Sequence, residues 1–212
     1  MSLFLGKIHY WLFNKIKWFE VLECDIVKLA KDEGIYTEEI NTEINNKYGE
    51  RLPNKPLEEI IDTSNIHGWL QAKINSAEGR MAAWTSVIIS NDKDNIEKID
   101  KVYKNQGIKA ANEIKASEKT YTNAEEIYNL MNDYVLDGMP CDRVNVIEES
   151  SKELVKWTRR ICVHKDIWNA ENIDVSYFYD SRATWIKAFV NELNKEFEYV
   201  EIDNERRAIR KI

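Results

Sequence analysis

The chain is poor in the residues that end secondary structure and in those that cross-link it. Its 212 residues include only three prolines, seven glycines and three cysteines. Few prolines and glycines disfavour a turn-rich sheet protein and favour long helices. An odd number of cysteines without tight spacing indicates reduced thiols rather than a disulfide framework, which predicts a cytoplasmic protein.

The sequence also lacks a long apolar run and an excess of positive charge. Charged residues between Lys7 and Glu20 interrupt the hydrophobic N-terminus, so no stretch reaches the roughly 18 to 20 residues of a membrane span. The formal net charge of −7 disfavours a nonspecific hold on nucleic-acid phosphates. We therefore expect neither a membrane nor a nucleic acid as partner. The last basic residues are expected to form a short solvated tail: Arg206, Arg207, Arg210 and Lys211.

Hydrophobic residues, at 43%, and charged residues, at 32%, make up most of the chain. Such a chain can bury a sizeable core, and its apolar residues recur at the three-and-four spacing of amphipathic helices. We expect one all-α domain over residues 1–212, a helical bundle of six or seven helices. The predicted helices cover 3–33, 37–48, 64–90, 94–118, 122–138, 145–165 and 175–198. Periodicity does not decide between strand and helix for 199–212.

Two segments of the chain resemble each other at an offset of 58 residues. Residues 8–20 and 66–78 agree at seven of thirteen positions, including His9 with His67 and Glu20 with Glu78. Repeated supersecondary units fall within this range of periods. The internal repeat predicts two similar helices at the centre of an antiparallel bundle, with a histidine and a glutamate at equivalent places. Chance similarity of two amphipathic helices is the alternative.

The three histidines lie on or beside apolar stripes, which makes them candidates for a buried site. A buried imidazole needs a carboxylate, a carbonyl or a metal for each ring nitrogen. A site between the repeated helices would hold a divalent transition metal through imidazole and carboxylate ligands. Structural pairing of each histidine with a carboxylate is the alternative. The candidate ligands are His9, His67, His164, Glu20, Glu23 and Glu78.

Residues 137–143, with the sequence DGMPCDR, form the most distinctive loop. A thiol close to a helix N-terminus and an arginine has its thiolate favoured, which suits a nucleophile. Cys141, Asp142 and Arg143 are therefore the candidate catalytic residues, and a packed turn is the alternative. Cys24 is expected to pack in the core.

Three carboxylate pairs at i,i+3 are further candidates for a metal site. These pairs resemble those with which helical nucleotide pyrophosphohydrolases hold magnesium, and the resemblance implies an enzyme of that class as one alternative function. Solvated helix faces are the ordinary explanation of such pairs. The pairs are Glu20/Glu23, Glu59/Asp62 and Glu97/Asp100.

The function that these observations favour is that of a binding protein or enzyme that holds a metal or a small-molecule ligand between the repeated helices. The rival hypothesis is a non-catalytic interaction or self-assembly module with structural histidine–carboxylate pairs. In that case Trp11, Trp18 and Trp69 would form a homodimer interface through exposed aromatic faces.

Overall fold

A computed structural model describes residues 5–212 of the chain, and their contacts divide it into two compact units. Unit 1 runs to Ile96 and includes His164–Val175. Unit 2 comprises Glu97–Val163 and Ser176–Ile212. The single domain expected from the sequence stays a prediction.

Unit 1 is helical, and its boundaries agree well with the sequence pattern. The predicted helix 37–48 is confirmed, and the predicted helix 64–90 differs from the observed one by at most two residues at either end. The predicted helix 3–33 begins only at Lys7 and ends at Asp32, and residues 3 and 4 lie outside the described part. The first turn of the second long helix is capped by Asn65, whose side chain accepts a hydrogen bond from the Gly68 amide at 3.1 Å. The helices are α1 (Lys7–Asp32), α2 (Thr37–Tyr48), α3 (Leu57–Ile60), α4 (Ile66–Asn91) and α7 (Lys165–Asn169).

Helices α1 and α4 pack against each other through their apolar stripes and form the core of unit 1. They run parallel, because His9 contacts His67 near their N-termini and Glu23 contacts Arg80 further along. An antiparallel arrangement is therefore wrong for this pair. The 33–65 connection, with α2 and α3, is long enough to return the chain to the starting end. Both similar segments are helical and in contact, as expected, while the internal repeat stays a prediction.

Unit 2 combines helices with a sheet, so the all-α class is wrong in this part of the chain. In total the described residues form eight α-helices and four strands. The strands form one antiparallel sheet in the order β1-β2-β4-β3. The elements are α5 (Asn95–Lys115), which begins at the end of unit 1, α6 (Ala124–Asn132), a 3₁₀ turn (Pro140–Asp142), β1 (Asn145–Ser150), β2 (Leu154–Arg159), α8 (Ser176–Leu193), β3 (Phe197–Glu201) and β4 (Arg206–Lys211).

The predicted helix 145–165 is the clearest error, because this segment forms the β1–β2 hairpin. In β2 the buried Val155 and Trp157 alternate with the more exposed Lys156 and Thr158, which is the period of two of a half-buried strand. The spacing of Asn145 and Glu148 resembles a capping box, but it is equally compatible with an extended strand. The undecided segment 199–212 supplies most of β3 and all of β4.

One face of the sheet is covered by α6 and α8. Cross-strand partners share a face, so the pairing of Trp157 with Arg207 and of Tyr199 with Ile209 places all four side chains toward these helices. Trp157 also packs against Tyr128 of α6, with ring centroids 4.9 Å apart. This face includes most of the residues that line the crevice described below.

A glycine sets the spacing between α5 and α8. A Cβ atom at Gly107 would lie 2.4 Å from the carbonyl oxygen of Trp185, so a larger residue would force the backbones apart. A hydrogen bond next to this contact also joins the two helices, since Trp185 donates its indole N–H to Gln106 Oε1 at 3.0 Å.

None of the described helices combines the length and hydropathy that a bilayer-spanning segment requires.

Candidate functional site

Two of the three candidate histidines, His9 and His67, lie close together. His9 Nε2 lies 3.3 Å from His67 Nε2, with His9 buried and His67 exposed. The Gly6 amide donates to His9 Nδ1 at 2.9 Å, so the neutral ring carries its proton on Nε2 and donates it to His67. Burial is the main cause that lowers the pKa of His9 below its usual value, and the charge of His67 is the second cause.

This hydrogen-bond pattern favours a histidine–histidine hydrogen bond over a shared metal. A metal bound to His9 through Nε2 needs the lone pair that the proton occupies, and ligating histidines ordinarily donate rather than accept with their other nitrogen. Within residues 5–212 no group of three or more His, Cys, Asp or Glu side chains is close enough to hold a metal ion. The divalent transition metal stays a prediction.

Two of the predicted glutamate ligands are bound by arginine. Arg80, which is fully buried, contacts Glu20 at 2.7 Å and Glu23 at 2.9 Å. Arg51 adds a third ion pair to Glu23 at 3.0 Å, and the Leu52 amide donates to both oxygens of Glu20 at 3.0 and 3.1 Å. Burial raises the pKa of both carboxyl groups, and Arg80 opposes that shift. The charge that a magnesium ion would supply is thus already provided by guanidinium groups.

The third predicted glutamate forms a separate buried contact in unit 1. Glu78 Oε1 lies 2.7 Å from His164 Nδ1 and accepts the indole N–H of Trp168 at 3.2 Å. His164 was expected on a long helix, whereas it immediately precedes the short helix α7. The six predicted ligands therefore form three separate groups: the His9–His67 pair, the Arg80 cluster and the Glu78–His164 contact.

The remaining two carboxylate pairs belong to different units. Glu59 and Asp62 are both exposed, and Asp62 accepts hydrogen bonds from the amide and hydroxyl of Ser64. In unit 2, Glu97 is exposed while Asp100 accepts a 2.6 Å hydrogen bond from the Ser181 hydroxyl.

The DGMPCDR loop forms a closed turn of unit 2. Asp142 Oδ2 accepts the Met139 amide at 2.8 Å, and Arg160 donates to the Asp142 carbonyl at 3.0 Å. Asp142 therefore caps its own turn, while Arg143 adopts a left-handed conformation with φ of 50°. Cys141 is exposed, at the start of a helix of only three residues. The catalytic role of these residues stays a prediction.

The other two cysteines are exposed as well, so the expected burial of Cys24 is wrong. Its position on α1 lies off the apolar stripe, next to the buried Glu23. Partial burial is the main cause that raises the pKa of the Cys24 thiol. Cys162 accepts a hydrogen bond from the Tyr179 hydroxyl at 3.1 Å.

The tryptophans proposed for a dimer interface are half-buried in unit 1. Lys15 Nζ lies 3.9 Å from the centre of the Trp11 ring, and Lys73 Nζ lies 5.6 Å from that of Trp69. These cation–π contacts occupy equivalent positions in the two similar segments and cover part of each aromatic face.

Unit 2 contains a crevice that the sequence pattern did not predict. It has a volume of about 20 Å³, room for one or two water molecules, and lies between the sheet and helices α6 and α8. Three arginines line it, Arg159, Arg182 and Arg207, together with Asp137. We call it the arginine crevice.

Only one of the three arginines has an acidic partner in the described part of the chain. Arg182 Nη1 contacts Asp137 Oδ1 at 2.9 Å, and the other oxygen of Asp137 accepts the side-chain amide of Asn145. Arg159 and Arg207 form no ion pair with any described residue. Both donate Nη2 to the Asn204 carbonyl oxygen at 3.0 Å, so the two like charges lie side by side.

Arg159 and Arg207 each keep one nitrogen without a partner. The Nη1 atoms of both residues are shielded from bulk water and lack a hydrogen-bond acceptor among the described residues. Arg207 is only 8% exposed, which corrects the expectation that it belongs to a solvated tail. A buried N–H group without an acceptor costs free energy, and such a group needs an explanation such as a bound ion.

Aromatic side chains complete the crevice. The Arg159 guanidinium carbon lies 3.8 Å from the centre of the Tyr179 ring. Burial raises the pKa of Tyr199 to about 12 and is also the main cause that raises the pKa of Tyr179. Both phenols therefore stay neutral at physiological pH and add no negative charge to offset the arginines.

Sequence reasoning missed this crevice because residues 145–165 were assigned to a helix and 206–211 to a tail. One signal could have revealed it. Every second residue of β2 and β4 faces inward, and Val155, Trp157 and Ile209 are apolar residues at such positions. Arg159 and Arg207 occupy inward positions of the same alternating pattern, where an apolar residue is expected.

The chain was compared with protein-family models, curated proteins and solved structures, and it matches none of them.

Proposed function

We propose that this protein binds a small anionic ligand in the arginine crevice. The observation that carries the proposal is the pair of buried, unpartnered Nη1 atoms on Arg159 and Arg207. The planar guanidinium fork matches the oxygens of carboxylate, sulfate and phosphate groups, and charge-assisted hydrogen bonds of this kind are strong. An anion in the crevice would satisfy both donors and offset two neighbouring positive charges.

The proposal keeps the small-ligand function expected from the sequence and moves its site. In unit 1 the candidate His and Glu side chains contact one another or Arg80, whereas in unit 2 positive charge exceeds negative charge at the crevice. A site rich in arginine repels a divalent cation. The proposal therefore does not rely on a metal or on the magnesium chemistry of a pyrophosphohydrolase.

Sulfate is a suitable first probe because it is a tetrahedral anion whose charge does not change between pH 5 and pH 8. We expect sulfate to bind selectively to the folded wild-type protein and so to raise its unfolding temperature. At a sulfate concentration of one hundred times the Kd, this binding adds about 2.7 kcal/mol to the free energy of unfolding. Sulfate also stabilises proteins generally through exclusion from their surface, so matched variants are needed.

Arg207→Gln and Arg206→Gln form the matched pair. They are neighbours in β4, but Arg206 is exposed and paired with Asp203, while Arg207 lines the crevice. Arg206→Gln should retain the wild-type response to sulfate, and Arg207→Gln should retain only the general salt effect. Equal responses of a folded Arg207→Gln protein and the wild type would overturn the proposal.

Three finer proposals come from the sequence. We infer a cytoplasmic location from the three exposed thiols, because disulfides do not persist in the cytoplasm. We also infer that the segments that contain His9 and His67 form an internal repeat.

The third proposal is a homodimer whose interface contains the half-buried Trp11, Trp18 and Trp69. Sedimentation at several protein concentrations tests the dimer.

A further inference from the structure

We infer that the arginine crevice selects a doubly charged tetrahedral oxyanion, such as the phosphoryl group of a phosphate monoester or inorganic phosphate, over a singly charged anion. This inference rests on the proposed anion-binding function and specifies its ligand class. It follows from the charge of the crevice, the number of its free donors and its size.

The charge of the crevice is the first argument. Asp137 is engaged by Arg182 and Asn145, which leaves Arg159 and Arg207 as two positive charges without a carboxylate partner among the described residues. Both guanidinium groups are held together by the Asn204 carbonyl, and like charges at such short range repel each other. A dianion offsets both charges, whereas a monoanion leaves one of them uncompensated.

The donors are the second argument. An arginine Nη atom carries two hydrogens, so the two unpartnered Nη1 atoms offer several N–H groups that approach from two strands, β2 and β4. A carboxylate presents two oxygens in one plane. A phosphoryl group presents three terminal oxygens in a tetrahedral arrangement, which suits donors that converge from different directions.

The size of the crevice is the third argument. A volume of about 20 Å³ accommodates one or two leading oxygens of a ligand but not a second functional group. The remainder of a phosphate monoester would therefore lie at the mouth, where the ring of Tyr179 already packs under the Arg159 guanidinium. Selectivity then resides in the oxyanion, because the crevice holds only this end of the ligand.

Calorimetric titration of the wild-type protein tests the inference without any substitution. The probes are sulfate and acetate, together with glycerol phosphate and inorganic phosphate. At pH 7.5 we expect sulfate and both phosphates to bind at least tenfold more tightly than acetate. Comparison of the two phosphates then identifies the source, because tighter binding of the ester indicates that the mouth contributes contacts. Tighter binding of inorganic phosphate indicates that the free ion is the ligand.

The protonation of the ligand provides a second readout. Phosphate monoesters lose their second proton with a pKa near 6, so the dianion fraction falls about fourfold between pH 7.5 and pH 5.5. The affinity for glycerol phosphate should fall by the same factor relative to sulfate, which stays doubly charged. Sulfate thus corrects for any titration of the protein itself.

A charge-removal variant sharpens the test. Arg159→Gln should narrow the preference for sulfate over acetate, because one of the two uncompensated charges is lost. The control is Arg210→Gln, an exposed residue of β4 that pairs with Glu198 outside the crevice. It should leave the ratio unchanged.

The outcomes distinguish this inference from the proposed function. If acetate binds as tightly as sulfate, or if the affinity for glycerol phosphate does not fall relative to sulfate at pH 5.5, the dianion inference is wrong while anion binding stands. If no anion binds, the proposed function itself is wrong. An unchanged sulfate-to-acetate ratio in Arg159→Gln would also overturn the inference.

Discussion

Unit 1 and unit 2 each bury an arginine, but the two residues have opposite surroundings. Arg80 in unit 1 is fully buried and contacts Glu20, Glu23, the Gly49 carbonyl and the Ser76 hydroxyl. Arg207 in unit 2 is 8% exposed, yet no described carboxylate pairs with it and one of its nitrogens lacks an acceptor.

The difference shows that burial of a charge does not by itself indicate a ligand site. A buried charge that is fully paired contributes to structure, because removal of one partner leaves the other uncompensated. A buried charge without a partner reduces stability unless something outside the chain supplies the partner, as is common at functional sites. Loss of Arg80 and loss of Arg207 should therefore change stability in opposite directions.

The largest effect is expected from Arg80→Met. The substitution leaves Glu20 and Glu23 buried without their main partner, so we expect the free energy of unfolding to fall by about 3 to 5 kcal/mol at pH 7.5. Because protonation removes these buried charges, the deficit should shrink as the pH is lowered toward 5.5. Urea unfolding at both pH values measures this. Arg206→Met, at an exposed ion pair, is the control and should change stability by less than about 1 kcal/mol. A comparable loss in both variants would remove the contrast between the units.

An intermediate loss is expected from Glu78→Leu. His164 and Trp168 then lose the carboxylate oxygen that both contact, which should cost roughly 2 kcal/mol. Glu78→Gln keeps an oxygen acceptor at the same place and should recover part of this loss. Thermal unfolding of the two variants side by side provides the measurement. If the glutamine variant is no more stable than the leucine variant, the hydrogen bonds contribute nothing measurable.

A small effect of opposite sign is expected from Arg207→Gln in the absence of added anions. Removal of an uncompensated buried charge should leave the free energy of unfolding unchanged or raise it by up to about 1 kcal/mol. Urea unfolding in a buffer free of phosphate and sulfate checks the sign. A loss as large as that of Arg80→Met would mean that Arg207 has a structural role like that of Arg80.

The smallest effect is expected at the His9–His67 pair. The pKa of His9 is lowered in the folded protein, so the unfolded chain binds more protons below its ordinary value of 6.5. Stability should therefore fall as the pH decreases through 6.5 toward the folded-state pKa. His9→Gln should reduce this pH dependence, and thermal unfolding between pH 7.5 and 5.5 shows whether it does. If the wild-type protein instead becomes more stable on acidification and His9→Gln does not, the two histidines share a proton.

The accuracy of the sequence predictions differed between the two units for a physical reason. In unit 1 the apolar stripes of α1 and α4 continue over many turns, so the period of 3.6 residues identified both helices. In unit 2 the strands are five or six residues long. Such short segments show the period of two only a few times, which is a weak signal. The spacing of Asn145 and Glu148, which resembles a capping box, therefore led to the wrong prediction of a helix.

The helical character of most of the chain, and the helices α1, α2 and α4 to within a few residues, could be predicted from the sequence. The proximity of His9 to His67 and the pairing of the charges depend on the folded structure. Arg80 meets Glu23 from 57 residues away, and Arg159 meets Arg207 through strand pairing at a separation of 48 residues. Periodicity reports which face of an element is apolar, but a charge on that face is paired or unpaired according to the neighbours that folding brings to it.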